Sequence, residues 1–322
     1  MIHLSVQYII GLSSIGIDYG RQALRMEVHQ LRYFCAVAES GSFTRAAERE
    51  QVAQPSLSQQ IMKLEEELGV RLFDRLGRTV RLTGFGQVFL PRARAILVEL
   101  KAAKDEVAER QSSVSGPVSV GVIPTIAPYF LPLPLALFSR KYPQADITVV
   151  EDVTARLMDR LRAGQIDLAI LALPTRGHDL EIFHLRTERL FAILPRAHQL
   201  SKRRKLLLKD LRDEPFLLLR EDHCFRETAI EVCKRARVTP HIVFETGQFS
   251  SILAMVGAGL GISIVPEMAQ EQRPDCAFVI VADDRAARTI GVATLKGRYL
   301  SRVQRAFLTH LQTFAQEESQ NA

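Results

Sequence analysis

The 322-residue sequence predicts two parts of different class: an all-α N-terminal region and a larger two-lobed α/β region, joined by one long helix. Three observations carry this. Between Ser42 and Leu68 apolar residues recur at helical spacing in two short runs separated by a tight turn. From Gly84 to Gln111 one apolar stripe repeats at near-heptad spacing. Beyond Pro117 apolar runs alternate with helical stretches, the pattern of an α/β domain.

Taken in order, Leu31 to Glu39 is the first helix, with Leu31, Phe34, Cys35 and Ala38 on one face and Cys35 read as a core thiol. Ser42 is an N-cap for the second, which buries Phe43, Ala46 and Ala47. Gln54-Pro55 opens the third, since proline at a helix start loses no hydrogen bond. Leu57, Ile61, Leu64 and Leu68 of that helix face a core. Its other side carries Gln59, Met62, Lys63 and Glu66, with Ser56 and Ser58 at the helix start, so the first two turns expose small and amide groups of the kind that read base edges in a major groove. An ordinary amphipathic hairpin has the same periodicity. Between Arg71 and Arg94 six arginines stand against the single acid Asp74, a local excess suited to phosphates or to a solvated basic face.

The motifs resolve that choice by resemblance. Phe43-Thr-x-Ala-Ala, Gln54-Pro55-Ser56-x-Ser58, Leu64-Glu65-x-x-Leu68-Gly69, Leu72-Phe73-x-Arg75 and Leu82-Thr83-x-x-Gly86 resemble the winged helix-turn-helix of LysR-type transcriptional regulators. The resemblance implies a DNA-binding regulator, not an enzyme, with double-stranded operator DNA and RNA polymerase as partners. Gln54, Pro55, Ser56, Ser58, Gln59, Lys63, Arg75 and Arg78 become the expected DNA contacts. It also implies domain bounds: a winged helix-turn-helix over 26–84, a linker and hinge over 85–115, and an effector domain over 116–322 with the type 2 periplasmic-binding-protein fold. In this family the linker helix makes a homodimer, and homotetramers are expected.

Met26 lies where such chains usually begin, so residues 1–25 read as an upstream-start extension, poorly ordered, with no basic leader region. The formal charge of +6 permits an anionic partner without naming it. Four cysteines in no dense framework indicate a reducing, cytoplasmic setting, and no apolar run reaches membrane-spanning length. Nothing calls for a cofactor or a resident metal.

The linker stripe is Phe85, Phe89, Ala93, Ile96, Leu97 and Leu100, and Pro91 within it predicts a kink or an early break. Ser112 to Pro117 is the hinge. Strands are expected at 118–123, 146–150, 168–172, 189–194, 216–219, 242–245, into 266 and at 289–295. Helices are expected at 129–141, 154–163, 225–236, 249–258 and 301–314. Segments 189–194 and 289–295 cross between the lobes, and ligands of such folds bind in the cleft.

Loops at that cleft carry Pro124-Thr125, Thr154 and His223-Cys224-Phe225-Arg226-Glu227, with Cys233 nine residues past Cys224 and Arg288 before the returning strand. Cys224 starts a helix beside His223 and near Arg226, so the helix dipole and neighbouring cations are expected to favour the thiolate. The two threonine hydroxyls can hydrogen-bond a small polar oxidant. On residues alone the cluster stays open between a redox centre and the inert core thiols that most cysteines are.

Ile123-Pro124-Thr125-x-x-Pro128-Tyr129 and His223-Cys224-x-Arg226 resemble the OxyR branch, the hydrogen-peroxide sensors of the family. By that resemblance Cys224 is the peroxidatic cysteine and Cys233 its resolving partner. Thr125 and Thr154 would bind peroxide, and His223, Arg226 and Arg288 would complete the effector site. Glu227 departs from the aspartate more usual after the arginine. Two cysteines nine residues apart on a helix lie about 13 Å apart along its axis, while a disulfide needs Cα atoms within roughly 7 Å, so the helix must unwind for the pair to join. The competing reading keeps the regulator but makes the cleft a reversible site for a small anion, with Cys224 incidental. A thiol peroxidase would leave the DNA-reading half unexplained.

Overall fold

The structure is a computed structural model and describes residues 26–76, 79–109, 114–175, 177–283 and 285–321. The expected extension 1–25, Arg78, and Ser112 and Ser113 of the hinge lie outside the described residues. The chain divides into two compact units, one ending at Leu90 and the other beginning at Pro91.

In the first unit, helices α1 (Val28–Ser40), α2 (Phe43–Arg49) and α3 (Gln54–Leu68) precede a hairpin of β1 (Phe73–Leu76) and β2 (Thr79–Leu82) and the start of α4 (Gly84–Glu109). Ser42 caps α2 as expected, its side chain accepting from Arg45 N at 3.4 Å. Pro55 is the second residue of α3, where the missing N–H still has no helical partner to lose. Gly69 ends α3 in the left-handed conformation at φ 68°. Glu65 then holds the turn into the hairpin by accepting from Leu72 N at 2.7 Å and Phe73 N at 3.1 Å. Phe34, Leu57, Ile61 and Leu64 are fully buried. The Phe34 ring meets those of Phe73 and Phe89, each at 5.2 Å.

Pro91 does not break α4, which continues to Glu109. One proline removes a single backbone hydrogen bond, a loss that a helix of this length absorbs. Phe85, Val88, Ile96 and Leu100 on α4 are exposed, so much of the apolar stripe faces solvent in the single chain.

The second unit contains two lobes. In lobe I, β3 (Gly116–Val122) pairs in parallel with β4 (Ala145–Glu151) and β5 (Leu168–Leu173). Helices α5 (Ala127–Phe130), α6 (Pro132–Lys141) and α7 (Thr154–Arg162) lie between these strands in the chain. The strand β3 takes Gly116 and Pro117, which were expected in the hinge. The single helix expected over 129–141 is two, because Pro132 has no N–H to continue the turn begun at α5.

The long strand β6 (Leu180–Pro195) leaves lobe I. Lobe II holds β7 (Lys205–Leu206), β8 (Pro215–Leu219), α8 (Cys224–Arg235), β9 (His241–Thr246), α9 (Phe249–Gly257), β10 (Ser263–Pro266) and β11 (Cys276–Val281). A short 3-10 turn, Glu267–Ala269, follows β10. Then β12 (Ala287–Leu295) returns, and α10 (Arg302–Asn321) closes the chain against lobe I.

Both crossings fall where the sequence put them, but β6 begins far earlier than residue 189. Its first half pairs with β12, and its second half pairs with β10 and β11. That first half carries Glu181, His184, Arg186 and Glu188, and such a polar run has no strand signature of its own. The strand β11 was not among those expected, although Cys-Ala-Phe-Val-Ile-Val is an apolar run of strand length. The last helix outlasts its apolar period by several residues, and Glu318 on that extension pairs with Arg186 of β6 at 3.0 Å.

Candidate functional site

Helical rotation and strand register place the side chains of the cleft. Cys224 is the first residue of α8, with His223 as the extended N-cap, so the expected helix-start position is correct. The rest of α8 packs into the lobe II core through Phe225, Ala229, Val232 and Cys233, but Cys224 packs against the core of lobe I. Tyr129 does the reverse, leaving lobe I to pack on lobe II beside Phe249, with ring centroids 6.3 Å apart. The sulfur is therefore a plug between the lobes.

Around it the structure brings together Thr125, Thr154 and Arg288, while the buried His223 ring faces Asp222, Arg220 and Glu151. Arg288 is buried. Its Nη1 donates to Thr125 Oγ1 at 3.1 Å, its Nη2 to Thr125 O at 3.3 Å, and its Nε to Glu188 Oε1 at 2.8 Å. The guanidinium carbon lies 5.2 Å from the Phe225 ring centre. Thr154 begins α7; its Oγ1 is buried, makes no well-formed hydrogen bond, and lies beside the Cys224 thiol.

The electrostatics correct the expectation of an acidic thiol. Burial pushes the Cys224 pKa above its ordinary value, and it outweighs the Thr154 hydroxyl and the Arg288 charge, which pull it down; Glu227 adds to the rise. His223 is not the expected cation. Burial lowers its pKa, against the opposing pull of Asp222, with Arg220 lowering it further and Glu151 raising it, so it is neutral at pH 7. In the closed site Cys224 rests as a thiol. Burial also pushes Cys233 up to about 11. Cys224, Cys233 and Cys276 are free thiols.

Arg226 does not belong to the cleft. Two residues along a helix is a rotation of about 200°, so it points away from Cys224. Its Nη1 donates to Leu219 O at 3.1 Å and pairs with Glu245, tying α8 to the ends of β8 and β9. The residue that sequence reasoning missed is Glu188. It faces Arg288 directly across the β6–β12 ladder, is itself buried, and accepts from Met268 N at 2.9 Å through its other oxygen.

In the first unit, Gln54, Pro55, Ser56, Gln59 and Lys63 are exposed on α3 and Ser58 is half-buried. The backbone of Arg75 lies in β1 opposite Val80. Exposed Arg81 on β2, opposite Asp74, adds a cation to that hairpin.

Comparisons with known proteins identify the family of both parts of the chain. Residues 28–87 match the bacterial regulatory helix-turn-helix protein, lysR family, and residues 111–316 match the LysR substrate binding domain. The DNA-binding transcriptional dual regulator OxyR of Escherichia coli (strain K12) is 32% identical over 282 residues, covering 85% of this chain and 92% of its own. An uncharacterized HTH-type transcriptional regulator of Bacillus subtilis, YybE, is 33% identical over 282 residues, covering 88% and 97%. Among solved structures, full-length OxyR from Pseudomonas aeruginosa superposes with a TM-score of 0.75 at 31% identity, covering 90% of this chain and 95% of that one. The two sequence relatives carry the names of transcriptional regulators. A helix-turn-helix, a two-lobed effector domain and identity along nearly the whole chain lead to one conclusion: the protein is a LysR-type transcriptional regulator.

Proposed function

We propose that this regulator senses peroxide through Cys224 and stores the signal as a Cys224–Cys233 disulfide. The observation that carries the reading is the position of Cys224: it begins a lobe II helix yet plugs the lobe I core, beside an under-bonded Thr154 hydroxyl and the Thr125–Arg288 pair. Likeness to OxyR relatives supports it.

In the reaction the Cys224 sulfur attacks one peroxide oxygen and the O–O bond breaks. The second oxygen leaves as water after taking up a proton, and Cys224 becomes a sulfenic acid. The Cys233 sulfur then displaces that oxygen as a second water, closing the S–S bond. A dithiol or glutathione-type reductant returns the two electrons. Thr125, Thr154 and Arg288 hold the peroxide oxygens.

Cys224 lies in the first turn of α8 and Cys233 in the last, about 13 Å apart along its axis. Disulfide geometry therefore requires α8 to unwind, which withdraws the plug and repacks the lobes. Amides across Phe225–Ala236 are expected to be protected from hydrogen exchange in the reduced protein and to lose that protection after one equivalent of peroxide. Full protection in a protein that has lost both thiols would rule out unwinding.

The DNA half follows the same reading. Residues 26–84 bind the operator, with Gln54, Pro55, Ser56, Ser58, Gln59 and Lys63 of α3 in the major groove and Arg75 and Arg78 on phosphates. Residues 85–115 dimerise two copies through the exposed stripe of α4, dimers pair as tetramers, and the complex acts on RNA polymerase in a reducing cytoplasm. Gln59→Ala is expected to relax discrimination at one or two base pairs by about 1–3 kcal/mol. Arg75→Ala is expected to weaken all sequences alike and reduce the salt slope by about one. Titrating each variant against operator and scrambled duplexes at several salt concentrations checks both; an unchanged sequence preference in Gln59→Ala would remove α3 as the reader.

A further inference from the structure

We infer that Glu188 is the positioning residue of the sensor site: it fixes the Arg288 guanidinium so that one free N–H points toward the oxidant, an inference that rests on the peroxide reading above.

The register makes the pair. Arg288 on β12 stands directly opposite Glu188 on β6, at the crossing of the two strands that join the lobes. Both side chains are out of solvent, at 1% and 0% exposure, and Glu188 Oε1 lies 2.6 Å from Arg288 Nη2 as well as 2.8 Å from Nε. An arginine cannot shed its proton, so without a counter-charge a guanidinium this deep would swing toward solvent. Glu188 cannot move to follow it, because its second oxygen is held by Met268 N at 2.9 Å. Met268 in turn packs on the lobe I core. The carboxylate is thus anchored at one end and fixes the guanidinium at the other.

The donor inventory gives the fork a use. A guanidinium has five N–H groups. Nε gives one to Glu188 Oε1, which also lies in ionic contact with Nη2; Nη2 gives one to Thr125 O, and Nη1 gives one to Thr125 Oγ1. The remaining Nη1 hydrogen lies on the nitrogen that also orients the Thr125 hydroxyl. A peroxide oxygen placed there meets two donors aimed by one cation, where charge builds up on the departing oxygen. Glu188 touches no reactant; it acts through Arg288.

The test compares two rates at Cys224 in the full-length protein carrying Cys233→Ser, which isolates the first oxidation. Hydrogen peroxide uses the Thr125–Arg288 donors; iodoacetamide reports only how much thiolate exists and how open the cleft is. A change in thiol acidity or packing moves both rates together, so their ratio isolates positioning. In Glu188→Gln the ratio is expected to fall about ten- to a hundredfold, the scale for a misplaced reacting group. Adding Glu188→Gln to Arg288→Lys, which has already lost the fork, is expected to change it by less than about threefold. Should Glu188→Gln fail to fold, Glu188→Asp keeps the buried charge but cannot span both Arg288 and Met268 N, and a fall of at least about threefold is expected there. A ratio within twofold of wild type in whichever folded variant is measured overturns the positioning role. If Cys224 in the unsubstituted protein does not react with peroxide at all, the sensor reading falls instead, so the two failures are distinct.

Discussion

Cys224→Ser is expected to abolish the response to peroxide: operator transcription in the presence of oxidant stays at its reduced-state level, and DNA affinity without oxidant is unchanged. The serine oxygen keeps the size of the plug but has no oxidation chemistry with peroxide. Cys35, Cys233 and Cys276 are all buried, and Cys233 is held near 11, so none offers a ready substitute. The wild-type rate should also depend on pH with a defined sign. The pKa of Cys224 lies above its ordinary value, so below that point the reactive thiolate grows about tenfold per pH unit. Oxidation should accelerate steadily from pH 6 to 8. A plateau across that range, measured by quenched-flow alkylation, would mean that Cys224 is already a thiolate in the resting protein, against the burial seen here.

Gly86→Ala is expected to cripple the DNA-binding unit while leaving cysteine oxidation intact. A Cβ at Gly86 would stand 2.2 Å from Leu72 O and 2.8 Å from Leu82 Cδ2, where α4 starts against the turn into the hairpin. The obstacle at Leu72 is backbone, and that backbone is already tied: Leu72 N donates to Glu65, and Leu72 O accepts from Thr83 N at 3.0 Å. The strain has no cheap outlet, so a loss of about 2–3 kcal/mol or more is expected, with operator binding falling at least tenfold. The Cys224 site lies in the other unit and should oxidise at its normal rate. Operator binding at wild-type strength by Gly86→Ala would contradict the packing described.

What the sequence revealed and concealed follows the range of the interactions involved. The helix-turn-helix is local: Ser42 caps the helix that follows it, Gly69 ends the one before it, and Leu57, Ile61 and Leu64 repeat within one helix. All of that is legible in a short window. The start of α8 at Cys224 was legible for the same reason. Arg226 is close to Cys224 along the chain, but helical rotation turns it toward Glu245. The neutrality of His223 and the raised pKa of Cys224 come from burial between two lobes, which no residue pattern records. Glu188 is the extreme case: its partner is 100 positions away, and it sits in a polar stretch with no strand signature.

One oxidation event at Cys224 is expected to capture Cys233. The direct measurement is peptide mapping by mass spectrometry of the full-length protein before and after brief exposure to one equivalent of hydrogen peroxide. The predicted result is a new cross-linked pair of peptides containing Cys224 and Cys233, with Cys35 and Cys276 still alkylated by the trapping reagent and the link lost on reduction. Recovery of Cys224 and Cys233 as free thiols, at an oxidant dose that exhausts the peroxide in a control with an exposed thiol, would contradict it and leave the cleft as a site for a reversibly bound small molecule.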